Sequence, residues 1–242
     1  MYWGTFVFAL ANGTLEARAT IDDRLRPGVV SLPHGWHEAN TGHLTDAKRI
    51  DPETPSDDPG VIDVIDTGAL PAGVLPLGED TEAAKARGTA LHLLLQHLPD
   101  HPPSQWPQVA AGVLGDGFPD LFDQAKALLT NPDLHHIFTI GLSEVALTAP
   151  WGDQHLLGTI DRLIVQPDRV LAVDFKSNRT VPATAETVPE GILRQMGAYV
   201  AALTQIYPDR VIEPYVLWTR TANLMALDPD LVSAALKRAA LP

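Results

Sequence analysis

The chain has 242 residues, of which 45% are hydrophobic, and a formal net charge of −13. This length provides one core of ordinary size, or one domain with a smaller appendage. The absence of cysteine excludes disulfides, thiolate zinc sites and cysteine-ligated iron–sulfur clusters, and the negative charge argues against nonspecific adhesion to nucleic acid through a broad basic face.

The sequence offers no candidate membrane anchor. No apolar run approaches the ~18 residues that a membrane-spanning helix needs. The apolar opening MYWGTFVFALANG lacks a basic segment and a small-residue cleavage site, so we do not interpret it as a signal peptide. We therefore expect a cytoplasmic protein without membrane contacts, and the lack of cysteine fits a reducing compartment.

The first third of the chain combines a short β element with loop-like sequence. Residues 4–20 are predicted to form a β-hairpin, because two runs of strand-forming residues flank Asn12-Gly13. The sequence after the hairpin is rich in Pro, Gly, Asp and Thr, which predicts mostly loop. We therefore divide this part into an N-terminal hairpin and loop segment at 1–58 and a linker at 59–78, where periodicity is weak.

The composition changes from residue 79 onward. EDTEAAKARGTALHLLLQHL predicts a helix with acidic residues in its first turn and a stop at Pro99. The later predicted elements are a helix at about 119–130, three strands at 141–148, 157–166 and 169–176, a long helix at about 189–206, a strand at 211–219 and a terminal helix at 229–239. The order of helix, antiparallel meander, helix and strand predicts an α/β domain at 79–242. Its last strand is expected to join the sheet in parallel after a crossover helix.

An acidic pair is predicted within the meander. Asp174 and Lys176 are two residues apart on a strand and therefore share a face. If Pro167-Asp168 form the central turn residues, Asp161 lies directly opposite Asp174, with Cβ atoms ~4.5–5.5 Å apart. Like charges at this distance are destabilising, and a divalent cation between them would remove the objection. This inference depends on the register, because a slip of one residue moves Asp161 to the other face.

Lys176 is placed to orient or deprotonate a water, or to offset charge that develops on a phosphate. An alternative requires no chemistry: Asp161 pairs with Arg162, Arg179 or Lys176 in a structural ion network. The motif DFK alone is a weak signal, and its position opposite GTIDR makes it more specific.

Four further residues are candidates with structural alternatives. Gln195 and Tyr199 are four apart on one helix face, where packing is the alternative role. His92 lies between leucines, as a satisfied core histidine also would. Glu144 is a candidate inward carboxylate, with an exposed strand position as the equal alternative.

These motifs together resemble a known family. A histidine on an early helix after Gly-Thr, a strand glutamate, GTIDR, VDFKS and Gln-x-x-x-Tyr occur in the order of the RecB-like branch of the PD-(D/E)XK nucleases. The tail VLWTRTANLMALDPDLVSAALKRAA resembles the end of AddA-type helicase-nucleases of double-strand break repair. The resemblance covers roughly residues 79–242 and implies a restriction-endonuclease-like core.

The resemblance also implies a function and a set of site residues. It implies Mg²⁺-dependent exonuclease hydrolysis of DNA phosphodiester bonds by in-line attack of water, with Mn²⁺ as an alternative ion. The partners it implies are DNA, an AddB-like subunit and a helicase motor supplied by a longer parent chain. The residues it implies are His92, Asp161, Asp174 and the backbone carbonyl of Phe175 as metal ligands, Lys176 as a catalytic residue, and Gln195 and Tyr199 as site supports or DNA contacts. Phe175 stands where the family often has a second acidic residue, which leaves the number of metal ions open.

A second resemblance lies in residues 12–57. GVVSLPHGW and LTDAKRIDP resemble the C-terminal part of the molybdopterin-dinucleotide-binding domain, whose loops help to hold a pterin cofactor. Only the closing portion is present, so a working oxidoreductase is not expected. The three histidines of this stretch, His34, His37 and His43, are expected to be solvated, because no carboxylate spacing accompanies them.

Three hypotheses follow. The first is a metal-dependent nuclease domain. The second is a pterin-binding fragment of a molybdenum enzyme. The third is a noncatalytic remnant that keeps the nuclease fold as an interaction module. The first is favoured, because all of its chemical residues are present in order. The third is its rival, because no Gly-rich Lys-Ser/Thr phosphate loop for a helicase motor occurs in the sequence.

Overall fold

A computed structural model describes residues 3–10, 13–20, 61–63, 81–115, 117–151 and 154–239. Within these ranges the backbone forms a two-stranded sheet and a separate six-stranded mixed sheet, together with helices. The predicted α/β class with a restriction-endonuclease-like core is confirmed. The predicted loop after the hairpin, with His34, His37 and His43, and most of the predicted linker lie outside the described residues.

The N-terminal hairpin consists of β1 (Trp3–Leu10) and β2 (Gly13–Thr20). The two strands pair antiparallel along their whole length, with Leu10 opposite Gly13. The hairpin forms where the sequence predicts it. Gly13, however, is the first residue of β2 and pairs with Leu10, so this residue of the predicted turn belongs to a strand.

Four helices precede the meander within the described chain: α1 (Thr81–His97), α2 (Trp106–Leu114), α3 (Asp120–Leu129) and α4 (His135–Thr139). The sequence predicts α1 and α3 but neither α2 nor α4. Pro107 obscures α2 in the sequence, yet a proline is tolerated in the first helical turn, where its missing N–H has no intrahelical partner. The indole of Trp106 donates to the carbonyl of His101 (2.9 Å) and fixes the start of this helix.

The main sheet contains the predicted meander and crossover. β4 (Leu142–Trp151), β5 (Gln154–Val165) and β6 (Arg169–Lys176) are antiparallel neighbours. Helix α5 (Glu190–Ile206) then leads to β7 (Val211–Trp218), which pairs in parallel with β6 as predicted.

Two short strands and a helix complete this unit. β8 (Asn223–Ala226) pairs antiparallel with β7, and α6 (Pro229–Ala239) follows it. β3 (Val61–Asp63) pairs in parallel with the first half of β5. These strands have three and four residues, which is too short for a recognisable alternation of apolar and polar side chains.

Helices cover both faces of the sheet. Leu163, Ala172 and Val216 pack against α5 and α6 in one buried cluster. Leu171 and Val173 face the other way and pack against α1 to α4 in a second cluster. Because both faces are covered, β6 is an almost uninterrupted apolar strand, as expected of a buried strand.

The contact between α5 and α6 depends on a glycine. A Cβ atom at Gly197 would come closer to the Val232 carbonyl than real Cβ atoms do, and it would lie 3.0 Å from the Leu236 Cβ. The two helices therefore pack closer together than any larger residue would permit.

Candidate active site

Three carboxylates lie side by side on adjacent strands. The β4–β5 pairs on either side of Glu144, Val145 with Ile160 and Ser143 with Arg162, place Glu144 beside Asp161. The β5–β6 pairing ends with Arg162 opposite Val173, and the next position places Asp161 beside Asp174. This is the register that the turn at Pro167-Asp168 predicts. We call Glu144, Asp161 and Asp174 the acidic row.

The strands are distorted at the acidic row. On β4, the residues that face the α5 layer are Leu142 and Val145, three apart instead of the usual two. On β5, Ile160 and Leu163 face the same layer and are likewise three residues apart. Glu144 lies within the shifted segment and has a φ of +49°, a strained conformation for a residue with a side chain.

Asp161 occupies the point where β5 and β6 separate. Its Oδ2 atom accepts a hydrogen bond from the Phe175 amide (2.5 Å) in place of continued strand pairing. Its other oxygen, Oδ1, faces His92 on α1.

His92 reaches the acidic row from α1. Leu91, Leu94 and Leu95 are almost fully buried and anchor the helix on the sheet. The His92 Nδ1 atom lies 3.4 Å from Oδ1 of Asp161, and its ring contacts the Phe175 ring edge-to-face at 5.8 Å between centroids. His92 is thus part of the site and not only a core residue.

The charge of His92 follows from this position. Burial lowers the pKa of His92, but the attraction of Asp161 and Asp174 outweighs burial and the net pKa is raised. The opposite holds for Asp161: burial raises its pKa, and the contacts with His92 and the Phe175 amide bring the net pKa below its usual range. Both shifts favour the form of the pair in which His92 is protonated and Asp161 is ionised.

Lys176 reaches the same point from the end of β6. Its Nζ atom lies 2.8 Å from Oδ2 of Asp174, which is 3% exposed, and donates to Oε1 of Gln195 (2.9 Å). Burial lowers the pKa of Lys176, but the attraction and hydrogen bonding of Asp174 outweigh it and the pKa is raised. Without a bound cation, Lys176 is therefore an ammonium ion, which suits the offsetting of phosphate charge better than the deprotonation of water.

Gln195 and Tyr199 link Lys176 to the sheet. The Gln195 amide contacts the Tyr199 hydroxyl (3.2 Å), and that hydroxyl donates to the Thr159 carbonyl on β5 (2.6 Å). Burial, followed by repulsion from Asp174 and Asp161, raises the pKa of Tyr199 well above its usual value, so it remains a phenol. Both side chains are buried, which favours support of the site over direct contact with DNA.

The acidic row carries an excess of negative charge. Burial and repulsion from Asp161 raise the pKa of Asp174, against the attraction of Lys176. Burial, followed by repulsion from Asp161 and Asp174, raises the pKa of Glu144 to about 7. Near neutral pH Glu144 is therefore only partly ionised, and a bound cation could replace its proton.

Two parts of the chain match known protein families. Residues 69–219, more than half of the chain, match the PD-(D/E)XK nuclease superfamily. The chain belongs to the PD-(D/E)XK nuclease superfamily. A separate match covers residues 10–57 and is to the molybdopterin dinucleotide-binding domain.

One curated protein and one solved structure are similar to parts of this chain. A protein of Novosphingobium aromaticivorans named "Putative 4-hydroxythreonine-4-phosphate dehydrogenase" is 88% identical over 32 residues, which are 13% of this chain and 10% of that protein. The chain thus spans about a tenth of the length of this relative. The crystal structure of SSO0001 is 12% identical, covers 74% of this chain and 73% of its own, and superposes with a TM-score of 0.32.

The donor chemistry of the acidic row suits the divalent ions that PD-(D/E)XK nucleases generally use. Carboxylate oxygens are the ligands that Mg²⁺ prefers, and Oδ2 of Asp174 is buried with the Lys176 ammonium as its ion-pair partner. In the described part of the chain, no three His, Asp or Glu side chains are close enough to enclose an ion as they stand. The metal set of His92, Asp161, Asp174 and the Phe175 carbonyl therefore stays a prediction, with Glu144 as the further carboxylate.

The sequence did not identify the residues that hold the acidic row in shape. From the sequence, Arg162 is predicted only as a possible ion-pair partner of Asp161. Its guanidinium instead donates to the carbonyls of Ile137 and Phe138 and to the Ser143 hydroxyl. The position of Arg162 beside Asp161 in GTIDR is the available signal, but two of its partners belong to α4, which the sequence does not predict.

In the described residues, no helix is long and apolar enough to cross a bilayer.

Proposed function

We propose that the chain is a deoxyribonuclease that hydrolyses DNA phosphodiester bonds at the acidic row with the help of Mg²⁺. The observation that carries this proposal is the row itself, three carboxylates abreast with the Lys176 ammonium 2.8 Å from Asp174. A buried surplus of negative charge is costly unless it serves a purpose, and binding a hard cation is the purpose that fits oxygen donors.

Each residue of the site has a distinct role in this proposal. Asp161 and Asp174, with Glu144, His92 and the Phe175 carbonyl as further ligands, would hold the ion. The ion supplies Lewis-acid stabilisation of the negative charge on the phosphate. Lys176 offsets charge on the same phosphate, and Gln195 orients the Lys176 ammonium through the contact at 2.9 Å.

The reaction is a displacement at phosphorus. A water oxygen forms a bond to phosphorus in line with the bond from phosphorus to the leaving sugar oxygen. As the bond to the leaving oxygen breaks, the water gives up one proton and the leaving oxygen takes up one, so that the products are a phosphate monoester and a sugar hydroxyl. The deep burial of Gln195 and Tyr199 keeps the support of Lys176 rigid during this step.

The biological setting we propose is double-strand break repair. The order of the motifs and the tail after β7 support an exonuclease of the AddA type, which works with an AddB-like subunit and a helicase motor from a longer parent chain. The negative charge of the chain supports this setting, because a domain that adheres poorly to DNA benefits from a motor that delivers the strand.

Two alternatives are each favoured by one observation. Lys176 occupies the space beside Asp174, and no ion-enclosing group occurs among the described residues, which favours a remnant that no longer binds metal. The match over residues 10–57 favours a pterin-binding fragment. Titration of the purified chain with a molybdopterin dinucleotide tests the fragment hypothesis, and binding that survives Asp174→Asn would support it.

Cleavage of labelled DNA tests the proposal. Linear single- and double-stranded DNA, labelled at either end, is incubated with the chain in Mg²⁺, Mn²⁺ or EDTA, and closed circular DNA serves as a substrate without ends. We expect loss of label from linear DNA in Mg²⁺ or Mn²⁺, intact circles, and no cleavage in EDTA or with Lys176→Ala. Cleavage that persists in EDTA would contradict the metal requirement, and nicked circles would contradict the exonuclease assignment.

A further inference from the structure

We propose that Arg162 is a positioning residue of the site, which holds Glu144 in its left-handed conformation and so keeps the third carboxylate beside Asp161. The inference rests on the proposed function. It adds to that function a residue on the far side of β5 that contacts no substrate and acts through Ser143.

Arg162 is a buried cation with an unusual set of partners. It is 3% exposed, and its Nε atom donates to the Ile137 carbonyl (2.8 Å) while Nη2 donates to the Phe138 carbonyl. These carbonyls belong to the last turn of α4, where carbonyls lack partners within the helix. The rigid guanidinium therefore fastens α4 to β5 at the residue next to Asp161.

The third contact of Arg162 reaches the acidic row. Its Nη1 atom donates to the hydroxyl of Ser143, which lies opposite Arg162 in the β4–β5 pairing. Glu144 follows Ser143 directly and has the φ of +49°. Ser143 is thus fixed from one side by Arg162, and Val145 is fixed by its pairing with Ile160. A residue held between two fixed neighbours keeps a strained backbone that it would otherwise leave.

Gly141 supports the same reading. A Cβ atom at this position would lie 2.6 Å from Arg162 Nε and 2.8 Å from the Ile137 carbonyl, inside any real contact distance. The guanidinium therefore passes close to the backbone at Gly141, which has no side chain to obstruct it. The corner from α4 into β4 is built around Arg162, and that corner ends at Glu144.

The test measures Mn²⁺ affinity and folding stability in the same proteins. Mn²⁺ binding to the full chain is followed by electron paramagnetic resonance for the wild type, Ser143→Ala and Arg162→Lys, and melting temperatures are recorded in EDTA. Arg162→Lys keeps the charge but lacks the planar fork of donors that spans the three acceptors. Ser143→Ala removes the hydroxyl that links Arg162 to β4. Thr204→Ala is the control, because it also removes a side-chain bond to a backbone carbonyl, that of Val200, away from the acidic row.

We expect Ser143→Ala and Arg162→Lys to weaken Mn²⁺ binding by about tenfold or more, as loss of groups that orient ligands commonly does. Thr204→Ala should leave the affinity within about twofold, without a fall in melting temperature, because alanine has the higher helix propensity at this exposed position. Wild-type Mn²⁺ affinity in both site variants would overturn the role of Arg162 while leaving the proposed function intact. If the wild type neither binds Mn²⁺ nor cleaves DNA, the proposed function fails and the role of Arg162 fails with it.

Discussion

Nζ of Lys176 donates to Oε1 of Gln195 at 2.9 Å, and this contact connects the end of β6 to helix α5 across the site. The amide of Gln195 is held by the Tyr199 hydroxyl, which in turn donates to the Thr159 carbonyl. The direction of the Lys176 ammonium is therefore set by a chain of bonds that ends on β5. The orientation of Lys176 therefore depends on the packing of α5 against β5 as well as on the lysine side chain.

Tyr199→Phe should lower kcat by about tenfold and leave KM for DNA nearly unchanged, because the buried hydroxyl orients Lys176 and does not touch DNA. The loss of its hydrogen bonds should reduce the free energy of unfolding by about 1 kcal/mol. Steady-state cleavage kinetics and urea unfolding measure the two effects. Tyr215→Phe, which removes a hydroxyl bonded to Glu213, is the matched control and should cleave like the wild type.

Lys176→Met should abolish cleavage and destabilise the metal-free protein by about 3 kcal/mol, because it leaves Asp174 buried without its partner. Adding Asp174→Asn should restore most of this stability without restoring cleavage, since the unpaired charge is then gone. Urea unfolding in EDTA and the cleavage assay together test the pair. Equal stability of wild type and Lys176→Met would contradict the buried ion pair.

Glu144→Gln should change how stability depends on pH in EDTA. The pKa of Glu144 is raised from 4.5 to about 7, so between these values the folded protein keeps a proton that the unfolded chain releases. The free energy of unfolding of the wild type should therefore fall as the pH rises through this interval, by about 2–3 kcal/mol more than that of the variant.

Urea unfolding of both proteins at about pH 5 and about pH 8 measures this difference, because all other titrating groups are shared. Parallel pH profiles for the two proteins would contradict a pKa of Glu144 raised by its burial and by the charges of Asp161 and Asp174.

Gly197→Ala should destabilise the protein by about 1–3 kcal/mol, because its Cβ would meet the backbone of α6. Gly112→Ala on α2 is the matched control, since no atom lies within 4 Å of its Cβ position. This control should stabilise the chain by about 0.5–1 kcal/mol through helix propensity. Thermal unfolding distinguishes the two, and a stabilising Gly197→Ala would contradict the close approach of α5 and α6.

The part of the site that depends on local pairing could be predicted from the sequence. The two-residue turn at Pro167-Asp168 forms, closed by the Gln166 amide on the Arg169 carbonyl (2.9 Å), and it fixes Asp161 beside Asp174. The spacing of Gln195 and Tyr199 on α5 likewise places both on one helix face.

The remainder depends on contacts that local patterns do not encode. The left-handed Glu144 adjoins Ser143, and the contacts that we propose to hold it are those of Arg162 with Ser143 and with a helix of five residues. The alternative in which Glu144 occupies an ordinary exposed strand position could not be dismissed from the sequence, because strand periodicity assumes an undistorted strand.

The central claim is that the acidic row is a cation-dependent hydrolytic site, and Mn²⁺ titration with parallel DNA cleavage tests it most directly. The proteins compared are the wild type, Asp174→Asn and Asp168→Asn, which removes the same charge from the exposed turn before β6. We predict that the wild type and Asp168→Asn bind Mn²⁺ and cleave DNA alike, and that Asp174→Asn does neither. A wild type that fails to bind Mn²⁺, or an Asp174→Asn variant that still cleaves, would contradict it.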